Sequence, residues 1–174
     1  MRTQLNFIKN STSILKNEDG AVLVAAILIL VLLTIVGIVS TTISNTEINT
    51  AFNEIIYQQN LYQAEGATVE AVDLLDGIAD PKTNPPSWLE PDLDQITNAD
   101  INDSTFWQSG LSGTMPQASS TLGDTRFVVV SEGLVSGTSL GMGSSKVHSY
   151  SVFGRSAPPN RGATIIEIGY LKAF

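Results

Sequence analysis

Over residues 21–40 the chain reads AVLVAAILILVLLTIVGIVS, with fourteen Val, Leu or Ile residues and no charge. A helix of this composition is apolar on every side rather than along one stripe, which suits a helix facing lipid. Twenty residues at about 1.5 Å each give about 30 Å, the thickness of a bilayer's hydrocarbon core. At about −0.3 to −0.6 kcal/mol per aliphatic residue, insertion is favoured with no charge opposing it. No stop follows, because the next proline is Pro81. Across 41–78 the sequence turns polar yet keeps helical spacing, first in Ile48, Phe52 and Ile55 and then in Ala67, Ala71, Leu74, Leu75 and Ile78. The pattern predicts one helix of about 57 residues and about 85 Å, ended by Gly77 and Pro81. The second stripe is the expected seat of a sheet, so Leu74→Asp is expected to be costly. Glu65, Glu70, Asp73 and Asp76 read as a solvated face, where Glu70→Ala is expected to do little.

Three later stretches have strand patterns. Residues 126–132 are β-branched and apolar, 146–153 place Tyr150 and Val152 on one face, and 163–171 alternate with Ile166, Ile168 and Tyr170 on one side. Gly- and Ser-rich 133–145, and 154–162 with Pro158, Pro159 and Asn160, separate them. Residues 126–174 are thus expected to form a small antiparallel sheet. In the connection, 79–125, Pro81, Pro85, Pro86, Pro91 and Pro116 interleave with Ser, Thr, Asn and Asp. Such a length is partly folded or functional rather than passive. Its large apolar residues, Trp88, Phe106 and Trp107, pin the connection to the domain in one reading and form a receptor-contacting surface in the other. The fold class is α+β: a long N-terminal helix, membrane-spanning at 21–40 and amphipathic at 41–78, packed on a small C-terminal sheet.

Charge and chain length sharpen this picture. The 174 residues leave about a hundred beyond the helix, enough for one modest core. Cysteine is absent, so neither a disulfide nor a thiolate metal site supports it. The net charge of −8 repels nucleic acid. Arg2, Lys9 and Lys16 all precede the apolar run, and no Lys or Arg occurs between Ala21 and Asp80. By the positive-inside tendency the N-terminus stays cytoplasmic and the C-terminal domain is exported. A secretory signal is cut after its apolar core, at small residues. Here the cuttable glycine, in Glu18-Asp19-Gly20-Ala21, lies before it.

That junction, the aliphatic run and the following Gln63-Ala64-Glu65-Gly66-Ala67 segment resemble the N-terminal region of type IV prepilins, and in particular that of the PilX-like minor pilins. The resemblance covers roughly residues 16 to 75. It implies a leader at 1–20 cut between Gly20 and Ala21 by a prepilin peptidase, and a methylated mature N-terminus at Ala21. It also implies burial of Val22, Leu23, Ile27, Leu30, Leu33 and Val36 among the helices of other pilins, and an inner-membrane assembly platform as partner. The chain would reside in the bilayer of the bacterial inner membrane and then in a surface pilus. One departure from the family is informative: most pilins have a glutamate at the fifth mature position, thought to neutralise a neighbour's terminal amine, and here that position is Ala25. In related pseudopilins the subunit lacking it is assigned to the filament tip. The departure favours a minor, tip-located or initiating subunit over a repeating one. A type II secretion pseudopilin and a membrane-tethered extracytoplasmic binding domain are the alternatives. Adhesion, motility, DNA uptake and secretion all use the same anchor.

Chemistry elsewhere is sparse. Asp92, Asp94, Asp100 and Asp103 have oxygen ligands suited to Ca²⁺ but lack the glycine and closing glutamate of a helix-loop-helix calcium loop, and read as solvated charge. Asn102-Asp103-Ser104 matches a glycosylation acceptor. His148, the sole histidine, reads as structural or surface rather than as a general base. No serine stands in a Gly-x-Ser-x-Gly elbow, and Gly141–Lys146 lacks the ending of a phosphate loop. The expectation is a structural protein with no cofactor, not an enzyme.

Overall fold

The computed structural model describes residues 18–92, 95–135 and 146–174. The chain divides into two compact units, Met1–Phe52 and Asn53–Phe174, described separately here. One helix, α1 (Glu18–Asp76), supplies the described part of the first unit and enters the second. The rest of the second unit runs β1 (Leu89–Glu90), α2 (Asn98–Asn102), α3 (Phe106–Ser109), β2 (Gln117–Ala118), β3 (Thr125–Leu134), β4 (Val147–Ser156) and β5 (Thr164–Ala173). The fold is α+β and pilin-like in architecture: the C-terminal part of a long apolar-headed helix packs on a mostly antiparallel C-terminal sheet.

The sheet order is β1-β3-β4-β5. β3, β4 and β5 are antiparallel neighbours, as their sequence patterns predict. Two short strands that no periodicity announces complete the other edge of β3. β1 pairs with it in parallel at Val129 and Val130, and β2 antiparallel at Phe127 and Arg126.

Small residues set the distance from helix to sheet. Ala64, Ala67, Thr68 and Ala71 are fully buried, and Gly154 of β4 lies so close that a Cβ there would stand 2.3 Å from the Ala64 carbonyl oxygen. Along this line Leu75 joins Trp88, Leu89, Phe127, Val129, Tyr150 and Val152 in one core, with Ile78, Ile168 and Tyr170 at its margin. Leu74 departs from the predicted stripe. Its side chain is 39% exposed, because one residue's rotation of about 100° carries it off the line that Leu75 occupies.

The helix end also differs from expectation. Gly77 is not left-handed; instead Lys172 of β5, itself buried, donates from Nζ to the carbonyls of Leu75 (2.6 Å) and Asp76 (2.9 Å). A cation from another element thus meets the negative end of the helix dipole, which the last turn of α1 does not itself neutralise.

The described part of the connection at 79–125 is folded, and it covers the sheet's second face. Ile96, Ile101, Phe106 and Trp107 pack on Val128, Val130 and Phe153. This double coverage explains why β3 reads as a continuous apolar run, since both of its faces are buried. Trp107 is 0% exposed, and its Nε1 donates to the Ile101 carbonyl at 2.7 Å. Trp88, Phe106 and Trp107 all lie in core clusters, so they pin the connection and present no receptor surface.

Glu70 also departs from the solvated face assigned to it. Its carboxylate accepts from Ser120 N (2.8 Å), Ser120 Oγ (2.6 Å), Thr121 Oγ1 (3.3 Å) and the Ser119 hydroxyl, tying the loop before β3 to α1. Burial pushes its pKa up, but the bonds from Ser119, Ser120 and Thr121 outweigh burial and leave it below the ordinary value. A carboxyl whose folded pKa is depressed stabilises above its unfolded pKa, about 4.3, and loses that contribution as pH falls through the folded value. Glu70→Ala is therefore expected to lower stability at pH 7 by about 1–2 kcal/mol. The difference in thermal midpoint between parent and variant should shrink as pH is lowered from 7 to 3. A difference unchanged between pH 7 and pH 3 would show that the carboxylate is not its source.

Candidate functional site

The uncharged stretch that begins at Gly20 extends to Thr46, and all of it is helical. It is the one segment among the described residues long and apolar enough to cross a membrane, with a mean hydropathy of 3.4 over its most apolar window and none of that window buried. Val22, Leu23, Ile27, Leu30, Leu33 and Val36 are all more than half exposed. These six fall within about half of the helix circumference. Val24, Leu28, Leu32 and Ile35, also more than half exposed, occupy the other half, so no single partner face would cover the whole run.

The threonine hydroxyls of the segment are satisfied within it. Thr34 Oγ1 donates to the Leu30 carbonyl at 2.7 Å, Thr41 Oγ1 to that of Ile38 at 2.8 Å and Thr42 Oγ1 to that of Ile38 at 2.9 Å. Back-bonding of this kind lets a hydroxyl sit in hydrocarbon without an open donor. By length and composition the segment fits a membrane anchor or a signal sequence.

Gly20 and Ala21 lie in the first turn of α1, which begins at Glu18 rather than at the glycine. Ala25 lies four residues beyond Ala21, on the same side of the helix one turn on. Exposed apolar residues continue past the spanning stretch: Ile43, Ile48 and Phe52 in the first unit, and Ile55, Tyr57, Tyr62 and Val69 in the second. In the second unit, Ile55, Tyr62 and Val69 recur every seven residues, whereas Asn60, Ala64, Ala67 and Ala71 make up the buried line. Sequence spacing signalled Ile48, Phe52 and Ile55. Tyr62 and Val69 were missed, because glutamine and glycine interrupt the stripe at 59 and 66.

Two of the acidic residues considered for calcium, Asp100 and Asp103, are engaged locally. Asp100 forms a capping box with Thr97 at the start of α2, and bonds from the Thr97 hydroxyl and backbone hold its carboxyl below the usual range. Asp103 accepts from the Thr105 hydroxyl (2.6 Å) and N–H (2.9 Å), with the same effect. Asp94 lies outside the described residues, and so does nearly all of the 141–146 loop. Among the described residues no three His, Asp or Glu side chains converge as metal ligands.

His148 is buried and stacked on Phe174, with centroids 4.4 Å apart. Burial first, then Lys82 and Lys146, lower its pKa, against an opposing pull from Asp80. It lines a cleft of about 270 Å³ with Lys82, Tyr150 and Asp92. Burial, and next to it Asp80, raises the Tyr150 pKa.

Compared with protein-family models, curated proteins and solved structures, the chain matches none at a significant level.

Proposed function

We propose that the chain is a minor structural subunit of a type IV pilus, held in the bacterial inner membrane through residues 21–40. After removal of a leader ending at Gly20 it is built into the filament through the same helix. The observation that carries this reading is the exposed apolar surface beyond the bilayer-length stretch. A tethered binding domain needs about 20 apolar residues and no more. It leaves Ile48, Phe52, Ile55, Tyr62 and Val69 facing water without reason. Packing of like helices side by side covers them. Other pilins are then the partners of this surface, with a prepilin peptidase and an inner-membrane assembly platform acting earlier. Alanine at 25 supplies no carboxylate for a neighbour's amine, which suits a position at a filament end and a low copy number.

The test is the composition of sheared, purified filaments. The chain is expected there at a low ratio to the major subunit, with Ala21 as its first residue. Gly20→Arg should leave a precursor about 20 residues longer in the membrane, since only a small residue admits a peptidase to the bond before an embedded helix. Absence from filaments together with Met1 retained on the surface-exposed form would establish the tethered domain instead. Normal processing of Gly20→Arg would remove the leader assignment.

A further inference from the structure

Arg126 and Arg155 occupy directly opposed positions on β3 and β4. Like charges so placed are destabilising. Elsewhere this acidic chain, with 17 Asp and Glu against 9 Lys and Arg, would readily provide carboxylates to separate them. Here it does not: among the described residues the ion pair is Lys172 with Asp76, and neither arginine has a described carboxylate oxygen within 4 Å.

Both guanidinium groups are nonetheless held in place. Arg126 donates to the Pro116 carbonyl at 3.1 Å. Arg155 lies 5.8 Å over the ring of Trp107, which is itself fixed by its bond to Ile101. Burial, and then the nearby charge of Arg126, lowers the Arg155 pKa. The pair lines a cleft of about 350 Å³ together with Ala118, Ser119, Asp124 and Thr125. That volume lies within the range of about 300–1,000 Å³ usual for small-ligand sites.

The polar neighbours in this cleft have other engagements. The Ser119 hydroxyl bonds Glu70, and Thr125 Oγ1 donates to the Leu122 carbonyl. Asp124 faces the same cleft without pairing to either arginine, its backbone turned at φ 58° and its carbonyl accepting from Ala157 N. Two guanidinium groups held on one cleft, neither paired with a described carboxylate, are the kind of donors that bind planar or tetrahedral oxyanions through paired N–H bonds.

We propose that the Arg126–Arg155 cleft binds the oxyanion of a small molecule, a phosphate monoester or a carboxylate such as that of an acidic sugar. Binding relieves the repulsion between the two cations, so ligand and fold stabilise each other. The site is independent of the pilus reading.

The full chain in detergent micelles is titrated calorimetrically with inorganic phosphate and, separately, with glucuronate. Sodium chloride at matched ionic strength serves as the control. Saturable binding with a stoichiometry of one per chain is expected, with a thermal midpoint that rises with ligand concentration. Phosphate alone binding would assign a phosphate monoester, and glucuronate alone an acidic sugar. Arg126→Gln and Arg155→Gln should each weaken binding about tenfold or more through loss of charge-assisted bonds. Arg126→Lys should recover part of the loss, since it keeps the charge but not the fork. Arg155→Gln also removes the Trp107 contact, so Arg126→Gln, which gives up only the bond to the Pro116 carbonyl, is the variant that decides. Unchanged affinity in a folded Arg126→Gln chain would overturn the proposal. So would the absence of any midpoint shift beyond the chloride control with both ligands.

Discussion

Gly154→Val should abolish or severely weaken cooperative folding of the unit Asn53–Phe174. A Cβ at this position would stand 2.3 Å from the Ala64 carbonyl oxygen, 2.6 Å from Thr68 Cγ2 and 3.1 Å from the Thr68 nitrogen. Two of those three atoms belong to the helix backbone and cannot rotate away, as the end of a flexible side chain would. The helix must therefore lift from β4, opening the contacts of Ala67, Ala71 and Leu75 with Phe127, Val129 and Val152. Overpacking in a core commonly costs about 1–3 kcal/mol and sometimes more, and a backbone clash belongs at the upper end. Gly169→Val on the adjacent strand is the control, because nothing lies within 4 Å of a Cβ there. Near-ultraviolet circular dichroism reports the outcome, since Trp88 and Trp107 are the only tryptophans and both lie in this unit. Equal thermal midpoints for Gly154→Val and Gly169→Val would mean that the helix is not seated on β4.

Trp107→Ala is expected to destabilise the same unit by about 3–5 kcal/mol, the usual cost of removing a large aromatic from a core. The ring is fully buried and meets Phe106 edge-on at 5.7 Å. Its loss also leaves the Ile101 carbonyl without its indole donor, which adds an unsatisfied acceptor to the cavity. Urea unfolding followed by far-ultraviolet circular dichroism gives the magnitude. Trp107→Phe should fall between parent and alanine variant, because it refills part of the volume but not the hydrogen bond. A receptor-contacting tryptophan would show the opposite pattern, with stability unchanged in the alanine variant.

The pilin-like reading rests on two levels of information. The membrane-length helix was legible because its signal is purely local. Fourteen aliphatic residues in 20, with no charge and no proline, state their preference for an apolar surround without any knowledge of neighbours. The same holds for β4 and β5, whose alternation places Tyr150 with Val152 and Ile168 with Tyr170 on the helix-facing side. Even β3 was legible as a strand, though its unbroken RFVVV run gave no sign of which face each side chain would take.

Local pattern could not tell which of two adjacent leucines turns inward. Leu74 and Leu75 are alike in sequence, and the helix phase that buries Leu75 is set by the close approach of Ala64 and Thr68 to Gly154, 79 or more residues away. Nor could it distinguish Glu70 from Glu65, since only the fold brings Ser119 to Thr121 against the former. The second layer of the sheet was hidden for the same reason. Ile96, Ile101, Phe106 and Trp107 are too widely spaced among polar residues to form a periodic stripe, and they become one surface only where α2 and α3 lie over Val128 and Val130. The opposed arginines at 126 and 155 belong to this class as well, 29 positions apart in the chain and paired solely by the register of β3 with β4. Hydrophobic preference is written residue by residue and so survives in the sequence. The identity of the covering partner depends on distances between segments that no single segment encodes, and only the tertiary structure decides it.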